Sequence, residues 1–320
     1  MMGGACGISV QLVSSDRGPP SEAALRELII GWVLERAEAN GGFVHREELL
    51  GFTHAGQRLP LIDFSRGIRN PAGFESTLAI VSSAHGPYDD VESEDGLLHY
   101  AYRSGDPFGG DNRKLRRALE TETPLLFFRK EQPNIYTPVA PVYVVEDYPE
   151  ERSFVIAFDE AFRYFGDLRD LPEPQRAYAR RLAKQRLHQP AFRTRVIHAY
   201  QTRCAVCRLH HGSLLDAAHI VPDAVGAAAP APGLDGAPTV DNGLALCKIH
   251  HSAYDQNMLG VRPDYRVEIS MRLLAEKDGP MLRHGLQEMH GKSLHLPSRR
   301  QDAPDRDRLA WRFEQFRAHV

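Results

Sequence analysis

Two short cysteine-containing motifs place the strongest constraint on how this chain folds. Cys204-Ala-Val-Cys207 is followed, after thirty-nine residues, by Cys247-Lys-Ile-His250. Three thiols and one imidazole, grouped in two such pairs, are the ligands that tetrahedral zinc prefers. The spacing therefore predicts one structural zinc site that ties the two segments together, and buried free cysteines are the less favoured alternative.

The composition excludes several classes of protein. Hydrophobic residues make up 42% and charged residues 25% of the 320 residues, which is typical of a soluble globular chain. Four cysteines are too few for a disulfide framework and indicate a reducing compartment, so we expect a cytoplasmic protein. The first fifteen residues lack the basic segment of a signal peptide, and their apolar run is too short to cross a membrane, so we expect no membrane partner.

The charge of the chain is distributed unevenly. A formal net charge of -3 excludes binding of nucleic acid through an overall positive charge. Between residues 172 and 203, however, eight basic residues accompany Glu173 as the single acid. The segment is predicted to form two helices broken at Pro190. The excess of basic residues predicts that these helices face phosphates, and a solvated helix face is the alternative. The candidate DNA contacts are Arg180, Arg181, Lys184, Arg186, Arg193 and Arg195.

The pattern along the chain predicts an α+β protein with four segments. Residues 1–20 have no periodicity, and we expect a disordered leader. From Ser21 the apolar spacing predicts a helix that ends at Gly41-Gly42. Short apolar runs then favour a bent sheet or small barrel with flanking helices, so that residues 21–165 form one domain. Residues 166–203 are expected to form a basic helical linker, and residues 204–320 a zinc-braced domain with C-terminal helices.

The residues between and beside the two cysteine motifs carry a further pattern. His219 lies in the apolar run LLDAAHIVP, Asn242 lies in DNGLALC before the second motif, and His251 follows that motif at once. In these residues the chain resembles the HNH endonucleases of the ββα-metal type, in the branch where zinc knuckles brace the motif. The resemblance implies hydrolysis of phosphodiesters in double-stranded DNA, with His219, Asn242 and His251 as catalytic residues and Mg²⁺, Mn²⁺ or another divalent cation as cofactor.

The chemistry of a nuclease suits these three residue types. A neutral imidazole has a pKa near working pH, so His219 is the candidate general base. Asn242 can fix the loop that carries this histidine or contact the cation, and His251 would be a cation ligand. His250 and His251 compete for the zinc because both lie near Cys247 on one helix face, and spacing leaves the choice open. The arrangement usual in the family assigns His250 to zinc and His251 to catalysis.

The sequence offers two candidates, Asp216 and Asp255, for the other ligands of the catalytic cation. Many family members carry an acidic residue or histidine directly before the general base, where this chain has Ala218. Asp216 is the nearest acid, but residues three apart on a regular strand face opposite sides, so it would reach the cation only from a bulged strand. Asp255, one turn after His251, is a second candidate ligand, and an exposed helix acid is an equally good interpretation.

The N-terminal half contains, in order, PYDD at 87–90, DGLLHYAYRSGDP at 95–107, DNRKLRRAL at 111–119, and TPLLFFRK followed by YTPVAPVYVV. This order of segments is similar to sensor domains that some bacterial HNH nucleases carry. Those domains are related to the SRA and PUA-like folds that bind modified bases, so the resemblance implies a pocket for a flipped, modified cytosine. Such a pocket needs aromatic faces and polar groups for the base edge. The candidates are Tyr88, Asp89, Asp95, Tyr100 and Tyr102, and ordinary strand tyrosines and turn aspartates are the alternative.

These features together predict a modification-dependent DNA endonuclease of a type IV-like restriction system, with 5-methylcytosine as the expected mark. One alternative is a zinc-containing DNA-binding protein without catalysis. Another is an HNH nuclease that senses phosphorothioate, hydroxymethylcytosine or no mark. A homodimer is an open prospect, because one HNH site cuts one strand.

Overall fold

The computed structural model describes residues 20–83, 91–92, 96–228, 231 and 233–319. The first helix, α1 (Glu22–Asn40), begins after Ser21, whose side chain accepts a hydrogen bond from the Ala24 N–H at 3.2 Å. It ends at Gly41, where φ is 94°. A side-chain cap at the start and a left-handed glycine at the end are the usual helix boundaries, so the sequence prediction of this helix is confirmed.

One curled, half-barrel sheet dominates the described part of the N-terminal half. Its strands are β1 (Val44–His45), β4 (Ile68–Arg69), β5 (Ala79–Ser83), β6 (Val91–Glu92), β7 (Leu98–Ala101), β8 (Leu125–Gln132), β9 (Ile135–Tyr148) and β10 (Ser153–Ala157). Their order in the sheet is β4-β5-β8-β9-β10-β7-β6, and β1 pairs with β9 off this path. The β5–β8 pair is parallel and the other pairs are antiparallel. Register shifts in the pairs that β9 makes accompany the bend of the sheet.

Helices cover both faces of this sheet. Neighbouring strand residues point to opposite faces, and Phe127 and Phe128 of β8 accordingly enter different hydrophobic clusters. Phe127 packs in the cluster of Leu115 from α3 (Gly110–Glu120), and Phe128 packs in the cluster of Ile29 from α1. A short helix, α2 (Arg46–Gly51), and the hairpin of β2 (Thr53–His54) with β3 (Gln57–Arg58) lie beside them. The expected α+β class, with a bent sheet and flanking helices, is confirmed.

The segment after the sheet is helical and nearly continuous. Two 3₁₀ turns at Glu160–Tyr164 and Leu168–Asp170 lead into α4 (Glu173–Ala183), a π-helical turn (Lys184–His188) and α5 (Gln189–Ala199). The expected break at Pro190 is wrong. Pro190 lies in the first turn of α5, where a proline needs no N–H, and the wider π turn directly before it keeps the backbone helical.

The C-terminal half contains a hairpin followed by a helix. Strand β11 (Leu215–His219) pairs antiparallel with β12 (Gly243–Cys247), and α6 (Lys248–Asp255) follows at once. The 3₁₀ turns are Gly212–Leu214, Asp223–Ala228, Val240–Asn242, Gln287–Met289 and Arg300–Asp302. The later elements are β13 (Leu259–Val261), β14 (Val267–Ile269), α7 (Met271–Ala275), α8 (Pro280–Gly285) and α9 (Arg306–Arg317). None of the helices in the described ranges is long and apolar enough to cross a membrane.

Helix α5 belongs to the hydrophobic core of the hairpin. Phe192 and Val196 of α5 pack in one buried cluster with Leu244 of β12. Phe43 and Ile135 from the N-terminal half enter the same cluster. The segment expected to be a linker therefore joins the two halves by packing, because apolar residues of α5 fill the face of the hairpin.

Candidate active site and zinc-ligand cluster

Four side chains converge where the hairpin meets α6. The ligand atoms of Cys204, Cys207, Cys247 and His250 all lie within 4.8 Å of one another. The Sγ atoms of Cys207 and Cys247 are 4.0 Å apart. Tetrahedral zinc with Zn–S bonds of about 2.3 Å places two sulfurs about 3.8 Å apart, so the donor set and its spacing fit zinc. This cluster could hold the structural ion that the sequence predicts.

The orientation of His250 decides which histidine joins this cluster. Its Nε2 is 2.8 Å from the carbonyl oxygen of Gly285, and its Nδ1 is 3.1 Å from the Cys247 Sγ. The hydrogen bond from Nε2 to the Gly285 carbonyl oxygen holds the ring in an orientation in which Nδ1 would face a zinc ion. His251 points elsewhere, so the geometry favours His250 as the zinc ligand.

His219 lies at the end of β11 against α5. Its ring stacks on the ring of Phe192, with centroids 4.0 Å apart and an interplanar angle of 20°. Its Nε2 is buried and has no hydrogen-bond partner among the described residues. Burial lowers the pKa of His219, and the nearby charges of Lys184 and His251 lower it further, while Asp223 opposes them. The imidazole is therefore neutral at pH 7, which is the form that accepts a proton.

Asn242 is fully buried and holds the loop that follows His219. Its Oδ1 accepts a hydrogen bond from the Val221 N–H at 2.9 Å, and its Nδ2 donates to the carbonyl oxygens of Val221 and Ala237 at 3.0 and 2.9 Å. Both amide hydrogens are used. Of the two roles that the sequence left open, this geometry favours loop fixation over contact with a cation.

His251 lies on α6 between two carboxylates. Its Nδ1 is 3.2 Å from Asp216 Oδ2, and its Nε2 is 3.4 Å from Asp255 Oδ2. Lys248 Nζ is 2.7 Å from the other oxygen of Asp216. The hydrogen bond to His251 lowers the pKa of Asp216, and the same bond raises the pKa of His251. All four charged groups thus interact within one small site.

No bulge interrupts β11 at Asp216. The pairing of β11 with β12 is regular from Leu215 to His219, and Asp216 still reaches His251 because α6 lies beside the strand. An imidazole binds a cation through one nitrogen, however, and the two carboxylates contact different nitrogens of His251. Asp216 and Asp255 therefore do not flank the same ligand atom in this structure.

Most of the basic residues expected to contact DNA have partners within the protein. Arg186 donates to the carbonyl oxygens of Phe158 and Pro141, and Arg193 donates to that of Leu215 at 2.7 Å. Arg195 contacts Glu131 and the carbonyl oxygen of Pro238, Arg180 pairs with Glu173, and Lys184 pairs with Asp223. Arg181 lies over the Tyr178 ring at 5.3 Å. The basic excess of these helices is therefore largely used to join elements of the fold.

The residues expected to form the modified-base pocket fall into two groups. Tyr88, Asp89 and Asp95 lie outside the described residues. Tyr100 and Tyr102 are buried in the core against α3, and they do not offer the open stacking faces expected of them. Tyr100 donates a hydrogen bond to the Gly67 carbonyl oxygen at 3.0 Å. Burial and the hydrogen bond to Asp147 raise the pKa of Tyr102 to about 12.

Two residues near the site, Phe192 and Lys248, were not identified from the sequence, and Arg193 was predicted only as a DNA contact. Phe192 stacks on His219, Arg193 lies 3.9 Å from Asp216, and Lys248 pairs with the same carboxylate. Lys248 lies inside the second zinc motif, so its position was a usable signal. Phe192 and Arg193 come from a helix that precedes the motif, and only the tertiary contact identifies them.

Comparison with known proteins agrees with this geometry. Residues 204–262 match the family model of the HNH endonucleases. No curated protein sequence matches the chain. A solved structure of the modification dependent TagI restriction endonuclease is similar over 85% of this chain and 90% of that one, at 17% identity and a TM-score of 0.30. The chain therefore carries an HNH endonuclease domain in residues 204–262, and the prediction of a DNA endonuclease is confirmed.

Proposed function

We propose that the protein is a modification-dependent DNA endonuclease in which His219 activates the attacking water. The observation that carries the proposal is the arrangement of β11, β12 and α6, which brings His219 at the end of β11 near His251 on α6. The match of residues 204–262 to HNH endonucleases supports it independently.

His219 is suited to accept the proton of the attacking water. The burial of Nε2 leaves Nδ1 as the nitrogen that can meet solvent. Transfer of a proton to Nδ1 requires the tautomer that carries its hydrogen on Nε2. Stacking on Phe192 restricts the ring, and the Asn242 hydrogen bonds restrict the loop that follows. A general base held in one orientation contributes more to the rate than a mobile one.

His251, with Asp216 or Asp255, would hold the catalytic divalent cation. When bound, such a cation neutralises charge on the phosphate and on the leaving 3′-oxygen. The hydrogen bond that His251 Nδ1 donates to Asp216 fixes the orientation of the His251 ring. Cys204, Cys207, Cys247 and His250 would hold zinc, which braces the start of α6 against the preceding loop.

Recognition of a modified cytosine is the part of the proposal that concerns the N-terminal half. It rests on the order of segments in residues 87–145 of the sequence and on the curled sheet that β5, β8, β9, β10 and β7 build. Burying one extra methyl group contributes on the order of 1 kcal/mol, about a tenfold preference or less. We therefore expect a modest preference for 5-methylcytosine at one site.

Plasmid cleavage tests the proposal. One plasmid, propagated with and without cytosine methylation, is incubated with the protein and Mg²⁺, Mn²⁺, Co²⁺ or Ni²⁺, with His219→Ala as control. Preferential cutting of the methylated plasmid, absent in the variant, supports both halves of the proposal. Equal cutting of both plasmids contradicts the sensor, and binding of DNA without cutting under any cation contradicts the nuclease and favours the non-catalytic alternative.

A further inference from the structure

A group of basic side chains lies beside the loop that carries the first cysteine pair. Two hydrogen bonds bring the segment of residues 295–300 alongside residues 201–208. The His295 N–H donates to the Ala205 carbonyl oxygen at 2.7 Å, and Gln201 Nε2 donates to Ser298 Oγ at 2.9 Å. We call the resulting group the knuckle surface, which consists of Arg203, Arg208, His295, Arg299 and Arg300.

The positive charge of the knuckle surface is not neutralised by nearby acids. In the described ranges, no ion pair joins any of its four arginines to a carboxylate. Burial lowers the pKa of His295, and the charges of Arg208 and Arg203 lower it further. At the neighbouring His198, the charge of Arg299 lowers the pKa of the imidazole, and the charge of Asp302 raises it. Arginines that have no carboxylate within ion-pair distance are suited to an anionic ligand.

The arginines of the helical segment provide a contrast. Arg186, Arg193 and Arg195 donate to carbonyl oxygens or carboxylates of the protein itself. In a chain with a net charge of -3, binding to a polyanion must depend on a local surface whose cations remain available. The knuckle surface meets this condition, whereas these three arginines do not.

The backbone of Arg208 adds an independent observation. Its φ is 64°, in the left-handed region that favours glycine. The loop is closed there by hydrogen bonds from Arg208 N to Cys204 O at 2.9 Å and from Cys204 N to Leu209 O at 3.0 Å. Glycine would adopt this conformation without strain, so the arginine side chain is kept at a conformational cost.

The shape and position of the knuckle surface also fit DNA. Arg299, Arg300 and Gln301 line an open cleft of about 610 Å³. The zinc-ligand end of the hairpin, at Leu215 and Cys247, lies four residues along β11 from His219. At about 3.3 Å per residue this is about 13 Å, or roughly four base-pair steps of duplex DNA. A duplex cut at His219 would thus have phosphates within reach of the cysteine loop.

We propose that the knuckle surface binds the phosphate backbone of double-stranded DNA a few base pairs from the cut. The proposal rests on the proposed function, because it assumes that the hairpin acts on duplex DNA. Phosphate contacts position a protein without reading sequence, so this surface would bind modified and unmodified duplexes equally.

The test compares DNA binding by the full-length protein with and without these arginines. Binding of a 30-bp duplex is followed by fluorescence anisotropy over a range of salt concentrations, in a His219→Ala background that prevents cutting. The variant Arg208→Gly/Arg299→Gln/Arg300→Gln is expected to bind at least about tenfold more weakly near 0.1 M salt. The slope of log K against log salt should fall by about two to three, equally for methylated and unmethylated DNA.

Two controls separate lost contacts from lost folding. Arg208→Gly alone should keep its zinc content and melting temperature, because glycine fits the left-handed backbone better than arginine. Arg317→Gln removes an exposed arginine of α9 that pairs with Glu314 at 3.3 Å, and it should leave affinity and slope unchanged. If the triple variant loses zinc, Arg299→Gln/Arg300→Gln carries the test, because it leaves the cysteine loop intact.

An unchanged affinity and salt slope in the folded variants would contradict DNA binding by the knuckle surface. That result would leave the proposed nuclease activity unaffected. The parent protein with His219 intact is assayed for cleavage alongside, so that the two proposals fail separately. A parent that neither binds nor cuts duplex DNA would overturn both.

Discussion

The rings of His219 and Phe192 lie face to face, with centroids 4.0 Å apart, at the junction of β11 and α5. The contact joins the candidate general base to the helix that packs against both halves of the chain. It also buries Nε2, which lowers the pKa of the imidazole.

The stacking predicts that Phe192→Leu reduces turnover more than DNA binding. Loss of the flat contact lets the imidazole rotate, and misplacement of a catalytic group costs roughly tenfold to a hundredfold in rate. The smaller leucine also leaves a small cavity in the core, at a cost of about 1–2 kcal/mol of stability. Steady-state kinetics on a duplex substrate should show the fall in kcat. Ile197→Val, another buried change in α5, is the matched control, and an equal fall in its kcat would contradict a positioning role for Phe192.

The pH dependence of cleavage should reflect the burial of His219. A general base acts when neutral, and its lowered pKa keeps it neutral to lower pH than an ordinary histidine. Activity should therefore be lost on acidification with a midpoint below about 6.5. In Phe192→Leu, reduced burial should move this midpoint up towards that value. Single-turnover rates between pH 5 and 8 measure it, and a wild-type midpoint above 7 would count against His219 as the base.

Asn242→Ala should reduce both stability and turnover. The substitution removes three buried hydrogen bonds and leaves Val221 and Ala237 backbone groups without partners, at a cost of about 3 kcal/mol. Asn112 is a matched control in the other half, because it too is buried and bonds the backbone of Arg103 and Asp106. Denaturant unfolding should show similar losses for Asn242→Ala and Asn112→Ala. Only the first should lower kcat of the folded fraction, and equal kcat values would refute the loop-fixing role.

Removal of the zinc ligands should unfold the hairpin region. A structural zinc ion contributes its binding free energy to folding, so Cys247→Ser should lose the metal and melt well below the wild type. Elemental analysis should give one zinc per wild-type chain. Cys6→Ser, which changes the one cysteine outside the two motifs, should keep metal and stability. A metal-free wild type with an unchanged melting temperature would contradict the zinc assignment.

Local signals in the sequence were sufficient for the elements that local interactions determine. Ser21 and Gly41 set the ends of α1, and the spacing from Cys204 to His250 assembled one cluster. Long-range contacts were not accessible in the same way. The choice between His250 and His251 depends on the Gly285 carbonyl, thirty-five residues away, and on Asp216 across the hairpin.

The arginines are a second example of long-range contacts that the sequence does not reveal. A run of basic residues in the sequence cannot reveal that Arg195 will meet Glu131 or that Arg193 will meet the Leu215 carbonyl oxygen. Likewise, Tyr100 and Tyr102 have the composition of a base pocket, but strand alternation turns both rings into the core. Composition gives the chemistry that a segment can perform, and packing decides which side chains remain available.

The most direct test of the account is cleavage by His219→Ala, with binding measured on the same preparation. The variant and the wild type are compared with a duplex substrate under Mn²⁺ or Mg²⁺, by single-turnover cleavage and by anisotropy. Because general-base catalysis contributes about 10²- to 10⁴-fold, the account predicts at least a hundredfold slower cleavage with DNA affinity, zinc content and melting temperature unchanged. A variant that binds DNA normally and cuts at the wild-type rate would contradict the role of His219.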